Sequence, residues 1–200
     1  TTAQNGSGTS YNPSNTFNMP AQNVTLYAQW IPDTYNIAYD ANGGTGSPTK
    51  TADTFTYGST PLVMPGVGTM TKTNNTFVGW ATTNNATTSV GTTYSPTASG
   101  TLYAVWKPAE WKVTYDPNGG LGTALRPSDT FTAGTATGIT LPTVGTLVKK
   151  GYVFAGWVAT STGTTLLTSP YIPTGDVTLY ARWTPGTFTL SYNANGGTGT

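Results

Sequence analysis

The chain has 200 residues, with 25 Gly, 14 Pro and 45 Thr, only 8% charged residues, and 8 Lys+Arg against 7 Asp+Glu for a net charge of +1. It contains no Cys and no His, which excludes disulfides, thiolate nucleophiles, Cys-ligated metals and a Ser-His-Asp triad. Near-neutral charge gives no electrostatic footprint for nucleic acid, no apolar run approaches the roughly 18 residues of a membrane span, and nothing at Thr1 reads as a signal peptide.

Aromatic residues make up 12% of the chain, whereas disordered segments are poor in them. Threonine is β-branched and favours strands, and Gly and Pro this frequent break helices. The expectation is a mainly β protein with many turns.

In chain order, residues 1–30 carry Phe17-Asn-Met-Pro20 and then Leu26-Tyr27-Ala28-Gln29-Trp30. After the linker Ile31-Pro-Asp33, Tyr35, Ile37 and Tyr39 alternate with Asn36 and Ala38, which predicts a strand. Asp40-Ala-Asn42-Gly43-Gly44 follows, where Asn and Gly suit the positive φ of a tight turn. Pro61-Leu-Val-Met-Pro65 is a short strand, its prolines suggesting an edge or a terminus. Phe77-Val-Gly79-Trp80 is another, with a glycine that lets a neighbour approach closely. After Tyr94-Ser-Pro96 comes the last strand, Leu102-Tyr103-Ala104-Val-Trp106.

The same elements then return. Trp111, Val113 and Tyr115 share a face before Asp116-Pro-Asn118-Gly119-Gly120; Gly138-Ile-Thr-Leu-Pro142, Phe154-Ala-Gly156-Trp157, Tyr171-Ile-Pro173 and Leu179-Tyr180-Ala181-Arg-Trp183 follow. Phe188, Leu190, Tyr192 and Asn193-Ala-Asn195-Gly196-Gly197 begin a third round. Corresponding elements are 76 or 77 positions apart throughout. The expected organisation is therefore residues 1–30 as the C-terminal part of one repeat, 31–106 and 107–183 as complete repeats, and 184–200 as the start of another, a window on a longer array. A period this long suits a small self-contained domain rather than a solenoid coil. Within 107–183 the expected core is Trp111, Val113, Tyr115, Phe131, Ile139, Leu141, Phe154, Trp157, Leu179 and Trp183.

Candidate chemistry is sparse. Asp40-x-Asn42 and Asp116-x-Asn118 resemble the opening of a calcium loop, but calcium takes six to eight oxygens and no further acid follows until Asp53 or Asp129. A turn held by an Asx hydrogen bond is the simpler reading, so Asn42, Gly43, Gly44, Asn118, Gly119, Gly120, Asn195, Gly196 and Gly197 are assigned as structural turn residues. Asp53 and Asp129 sit in matching Asp-Thr-Phe-Thr contexts, where a lysine isopeptide partner is worth seeking. Lys50 is matched only by Arg126, and a cap at a turn or strand entry is expected instead. Trp30, Trp80, Trp106, Trp157 and Trp183, with Tyr39, Tyr115 and Tyr192, are assigned to core or junction packing, against the alternative of sugar-stacking platforms. Tyr27, Tyr103 and Tyr180 fall on the opposite face of the last strand. Lys149-Lys150 reads as a solvated turn, and the Thr-rich stretches 82–93 and 160–168 as exposed loops. No cofactor, metal or catalytic residue is assigned, and no enzyme is expected.

Together, Tyr115-Asp-Pro-Asn-Gly-Gly120, Gly151-Tyr-Val-Phe-Ala-Gly-Trp157 and Val177-Thr-Leu-Tyr-Ala-Arg-Trp183 resemble the Listeria–Bacteroides repeat, the internalin-type B repeat, over essentially the whole chain. In the first unit Asn75-Thr-Phe77-Val-Gly-Trp80 departs from the Gly-Tyr-x-Phe-x-Gly-Trp pattern. The resemblance implies tandem β-grasp-like (ubiquitin-like) modules strung as beads in an extracellular or cell-surface protein of bacteria or archaea, serving as a non-catalytic stalk or spacer. The partners implied are neighbouring repeats of the same chain. Two alternatives stay open: a protomer of an extracellular fibre or sheath that exchanges strands with identical chains, and an adhesin module binding glycan or protein.

Overall fold

A computed structural model of the chain describes residues 1–193 and 195–198; Ala194, Gly199 and Thr200, part of the 184–200 segment, lie outside the described residues. All regular structure among the described residues is strand. The strands are β1 (Thr34–Asp40), β2 (Ala52–Thr56), β3 (Leu62–Val63), β4 (Asn75–Ala81), β5 (Thr93–Tyr94), β6 (Gly100–Pro108), β7 (Glu110–Asp116), β8 (Ser128–Thr132), β9 (Tyr152–Val158) and β10 (Val177–Pro185). The chain divides into two compact units, residues 1–70 with 78–105, and residues 71–77 with those from 106 onward.

The first sheet has the order β2-β1-β6-β4. β1 pairs antiparallel with β2, from Thr34↔Thr56 to Ala38↔Ala52, and parallel with β6, from Ile37↔Gly100 to Asp40↔Tyr103. The second sheet, β8-β7-β10-β9, repeats the plan. β7 lies antiparallel to β8 and parallel to β10, Val113 facing Val177 and Asp116 facing Tyr180. A parallel central pair joins residues some sixty positions apart, so each sheet closes only after its whole repeat has been laid down. The expected short strand at 61–65 shrinks to Leu62–Val63 paired with Thr93–Tyr94, and its counterpart is a single bridge, Ile139↔Tyr171. Pro61 and Pro65 flank Leu62–Val63, Pro170 and Pro173 flank Tyr171, and Pro96 and Pro142 follow Tyr94 and Leu141, removing ladder donors and keeping these segments short.

Period-two patterning decides which side chains go inside. On β1, Ile37 and Tyr39 are buried between exposed neighbours; on β7, Val113 and Tyr115 are buried beside exposed Lys112 and half-buried Thr114 and Asp116. The second repeat's core gathers Val113, Tyr115, Ala124, Leu147, Trp157, Leu179, Ala181 and Trp183, with Ile139, Leu141 and Phe154 packed against it. Phe131 is also buried, whereas Trp111 is half-buried and stacked on Phe131 at 6.1 Å. Leu147 and Ala124 join the core from loops, where no strand periodicity marks them. In the first repeat Ile37, Tyr39, Phe55, Trp80, Leu102 and Ala104 are buried.

Candidate functional site

The repeated elements converge on three bonded arrangements that occur in both repeats. The first is a clasp built by Asn-Gly-Gly. Asn118 sits at φ 50° and Gly119 at φ 79°, the left-handed conformation that Asn and Gly tolerate best. The Asn118 backbone N–H donates to Asp116 Oδ1 at 2.7 Å, an Asx turn, and Gly120 N–H donates to the Pro117 carbonyl at 3.0 Å. With the turn so fixed, the Asn118 amide nitrogen donates to two carbonyls, Ser161 O at 2.8 Å and Ala181 O at 3.0 Å. One side chain thus ties the end of the first strand to the last strand and to the loop after Gly156-Trp157. Asn42 does the same: φ 50°, backbone N–H to Asp40 Oδ1 at 2.7 Å, side-chain amide to Asn84 O at 2.8 Å and Ala104 O at 2.9 Å. The second glycine has a different reason. A Cβ on Gly120 would lie 2.5 Å from Trp183 Cζ2, and the same indole donates its N–H to Pro117 O at 2.8 Å. The motif therefore reads as a clasp, a positive-φ residue, and a vacant Cβ under a tryptophan.

The second arrangement is the buried Gly-Trp. Trp80 and Trp157 are 0% and 3% exposed, and their indole N–H groups donate to Pro65 O at 2.7 Å and Pro142 O at 2.8 Å. Each ring stands 4.9 Å from a first-strand tyrosine, Tyr39 or Tyr115. What approaches the preceding glycine is the Thr-rich loop: a Cβ on Gly79 would lie 2.7 Å from Ser89 Cβ, and one on Gly156 would lie 3.2 Å from Leu166 Cδ2. The loop is held by Val90 N–H on Trp80 O and Leu167 N–H on Trp157 O.

The third is a tyrosine–aspartate–cation trio. Tyr39 and Tyr115 hydroxyls donate to Asp53 Oδ2 and Asp129 Oδ2, both at 2.8 Å. The other carboxylate oxygen takes Lys50 Nζ at 2.6 Å or Arg126 Nε at 2.8 Å. Arg126 also donates to Thr140 O at 2.7 Å. Burial, then the hydrogen bond to the carboxylate and its charge, push both tyrosines far above their ordinary pKa near 10. The Arg126 guanidinium beside Asp129 is raised in turn. An acid–base catalyst is tuned toward its working pH; these tyrosines are tuned away from it. Lys50 and Asp53 form an ion pair three residues apart, in place of the isopeptide partnership considered for them.

The other assigned residues fall as follows. Trp183 is 7% exposed and Trp106 half-buried, with Phe77 at 5.6 Å. Trp30 and Tyr192 occupy the same repeat positions but stand 90% and 88% exposed, so the packing expected of them is not seen here. No strand forms among residues 1–33, and the 188–192 copy of the first strand has no ladder partner among the described residues. Asn195 keeps the turn, at φ 45° with its N–H on Asn193 Oδ1 at 2.8 Å, but its side-chain amide meets no carbonyl among the described residues. Tyr103 and Tyr180 are half-buried. The reach of Asn118 to the last strand, and the pairing of Tyr115 with Asp129, carry no local signature; their only sequence signal is recurrence in both repeats.

Among the described residues no three acidic side chains gather into a metal-binding group, and no helix is long and apolar enough to cross a membrane. Two proteins of Evansella cellulosilytica are similar to the chain. One, named "Putative Gly-rich membrane protein", is 30% identical over 202 residues, covering 98% of this chain and 21% of its own length. The other, named "Putative membrane protein", is 32% identical over 90 residues, 43% of this chain and 13% of its own length. The chain thus spans about a fifth, or less, of the relatives it matches. The family model of the Listeria-Bacteroides repeat domain matches twice, at residues 35–105 and 111–182, the two stretches that carry the repeated bonds, and the chain belongs to that repeat family.

Proposed function

We propose that these repeats are a non-catalytic spacer in a larger protein of the cell surface, each repeat of 31–106 and 107–183 acting as one module. The observation that supports this most is where repetition stops. Side chains that close a module recur: Asn42 and Asn118, Trp80 and Trp157, Tyr39–Asp53 and Tyr115–Asp129. Exposed side chains recur less: Thr54 and Thr56 return as Thr130 and Thr132, but several large exposed apolar ones have no counterpart. Leu121, Val148, Tyr152 and Val153, 45–75% exposed, stand where the first repeat has Thr45, Thr71, Asn75 and Thr76. A ligand site duplicated along the array would keep its exposed residues and let the interior drift.

The module is of β-grasp type. The order β2-β1-β6-β4 around a parallel central pair supports this, with loops and β3 between the hairpin and β4, and β5, the partner of β3, between β4 and β6. The names of the Evansella relatives support an envelope setting. Antibodies raised against the 200 residues test the reading on intact cells of the source organism. Labelling that external protease removes is expected; an epitope found only after lysis would overturn it.

A second reading, assembly into fibres, is favoured by one observation. Phe188, Leu190 and Tyr192 are 80%, 73% and 88% exposed, and Leu26 and Trp30 are 51% and 90% exposed. These are copies of the first and last strands, which pair in parallel within each complete repeat. Concentration-dependent growth in sedimentation velocity would support assembly, and a monomer at all concentrations would dispose of it.

A further inference from the structure

The clasp uses an atom that chain chemistry can remove. In an Asn-Gly dipeptide the glycine nitrogen attacks the asparagine Cγ. A new C–N bond closes a succinimide ring, the bond to Nδ2 breaks, and the glycine proton leaves with that nitrogen as ammonia. Water then opens the ring to aspartate or isoaspartate. Four Asn-Gly dipeptides occur here: Asn5-Gly6, Asn42-Gly43, Asn118-Gly119 and Asn195-Gly196.

Their leaving nitrogens are held very differently. In Asn42 and Asn118, Nδ2 donates to two carbonyls at 2.8–3.0 Å. The carboxamide cannot swing toward the glycine nitrogen without breaking both bonds. In Asn195, which shares the Asn-Gly-Gly sequence and the left-handed turn, no such bond forms among the described residues. In Asn5 the side-chain oxygen accepts from Ser7 N–H at 3.1 Å and Ser7 Oγ at 2.7 Å, while Nδ2 has no partner among the described residues.

We propose that Asn42 and Asn118 are deamidation sites shielded by their own repeats, and that Asn5 and Asn195 are open ones. The chemistry is irreversible. Once ammonia has left, the side chain of residue 118 has no N–H to give Ser161 O and Ala181 O, and it turns a carboxylate oxygen toward two carbonyls. Isoaspartate also adds a carbon to the backbone inside a tight turn. A repeat held open long enough for the glycine to attack therefore does not reclose as before, and each complete repeat carries a chemical record of having been opened. This holds whether or not the protein is a spacer.

The test is peptide mapping by mass spectrometry of the whole chain, aged in mildly alkaline buffer with and without concentrated urea. Without urea, Asn5 and Asn195 gain the mass of a deamidation and isoaspartate appears. Asn42 and Asn118 lag by at least roughly tenfold, the ratio that about 1.4 kcal/mol of opening free energy imposes. In urea all four react at similar rates. Equal native rates at Asn118 and Asn195 would overturn the proposal, as would an Asn118 that stays slow in urea, or an unreactive Asn195.

Discussion

Trp157→Phe, set beside Trp111→Phe, separates burial and hydrogen bonding from side-chain chemistry, because both substitutions remove the same atoms. Trp157 is 3% exposed, packs edge-on against Phe154 at 5.3 Å and tilted against Tyr115 at 4.9 Å, and donates its indole N–H to Pro142 O at 2.8 Å. Phenylalanine there leaves a buried carbonyl without its donor, at a cost of about 1–3 kcal/mol. It also opens a gap of half an indole, of order 1 kcal/mol on top, with the roughly 3–5 kcal/mol of a full Trp→Ala truncation as the upper bound. The expected loss is about 2–4 kcal/mol. That is a large part of the roughly 4–12 kcal/mol that a module of this length holds at typical values per residue. Trp111 is half-buried and stacked on Phe131, with no indole hydrogen bond among the described residues, and the first repeat has Tyr35 in its place. Trp111→Phe should cost about 1 kcal/mol or less. Urea unfolding followed by circular dichroism reads both, with the slope unchanged and only the midpoint moved. Equal losses would refute the reasoning, since burial and the Pro142 bond would then contribute nothing.

Asn118→Gly keeps the positive φ but removes both side-chain donations, so it should cost about 1–3 kcal/mol, while Asn195→Gly should cost nothing measurable by the same denaturation assay. Gly79→Ala should destabilise more than Gly156→Ala in thermal unfolding, because the added methyl meets Ser89 Cβ at 2.7 Å in one case and the movable end of Leu166 at 3.2 Å in the other. Tyr39 and Tyr115 have folded pKa values raised above their unfolded value near 10. Their contribution is therefore fully present below pH 10 and is lost as pH climbs from there toward the folded values. Urea midpoints measured across that range should fall with pH, and fall less steeply in the Tyr39→Phe, Tyr115→Phe double variant; an unchanged slope would count against the buried phenols.

How much of this was readable in the sequence depends on the range of the interaction. Alternation at Ile37 and Tyr39 fixes β1 because a strand's faces are set by neighbours two positions away. The turn at Asn118-Gly119 is equally local, since φ belongs to single residues. The partners of those residues are not local. Asn118 reaches Ala181, 63 positions on, and Trp183 reaches back 66 positions to Pro117. Only the closed parallel pair of β7 and β10 brings them together, and no periodicity in either segment encodes that. Gly120 illustrates the gap: its sequence context reads as turn flexibility, but its missing Cβ is required by an indole from the last strand. Trp30 shows the converse, for its repeat position predicts packing while it stands 90% exposed, with no ladder beside it among the described residues.

Pulling the whole chain from its two ends in an optical trap tests most directly whether each interval of 76 or 77 residues closes on itself. Two separate unfolding steps are expected, of nearly equal length. Each should release about 250–280 Å of contour, at 3.3–3.6 Å per residue, less the folded module's own span. A single step of twice that length, or steps that ignore the interval, would contradict it.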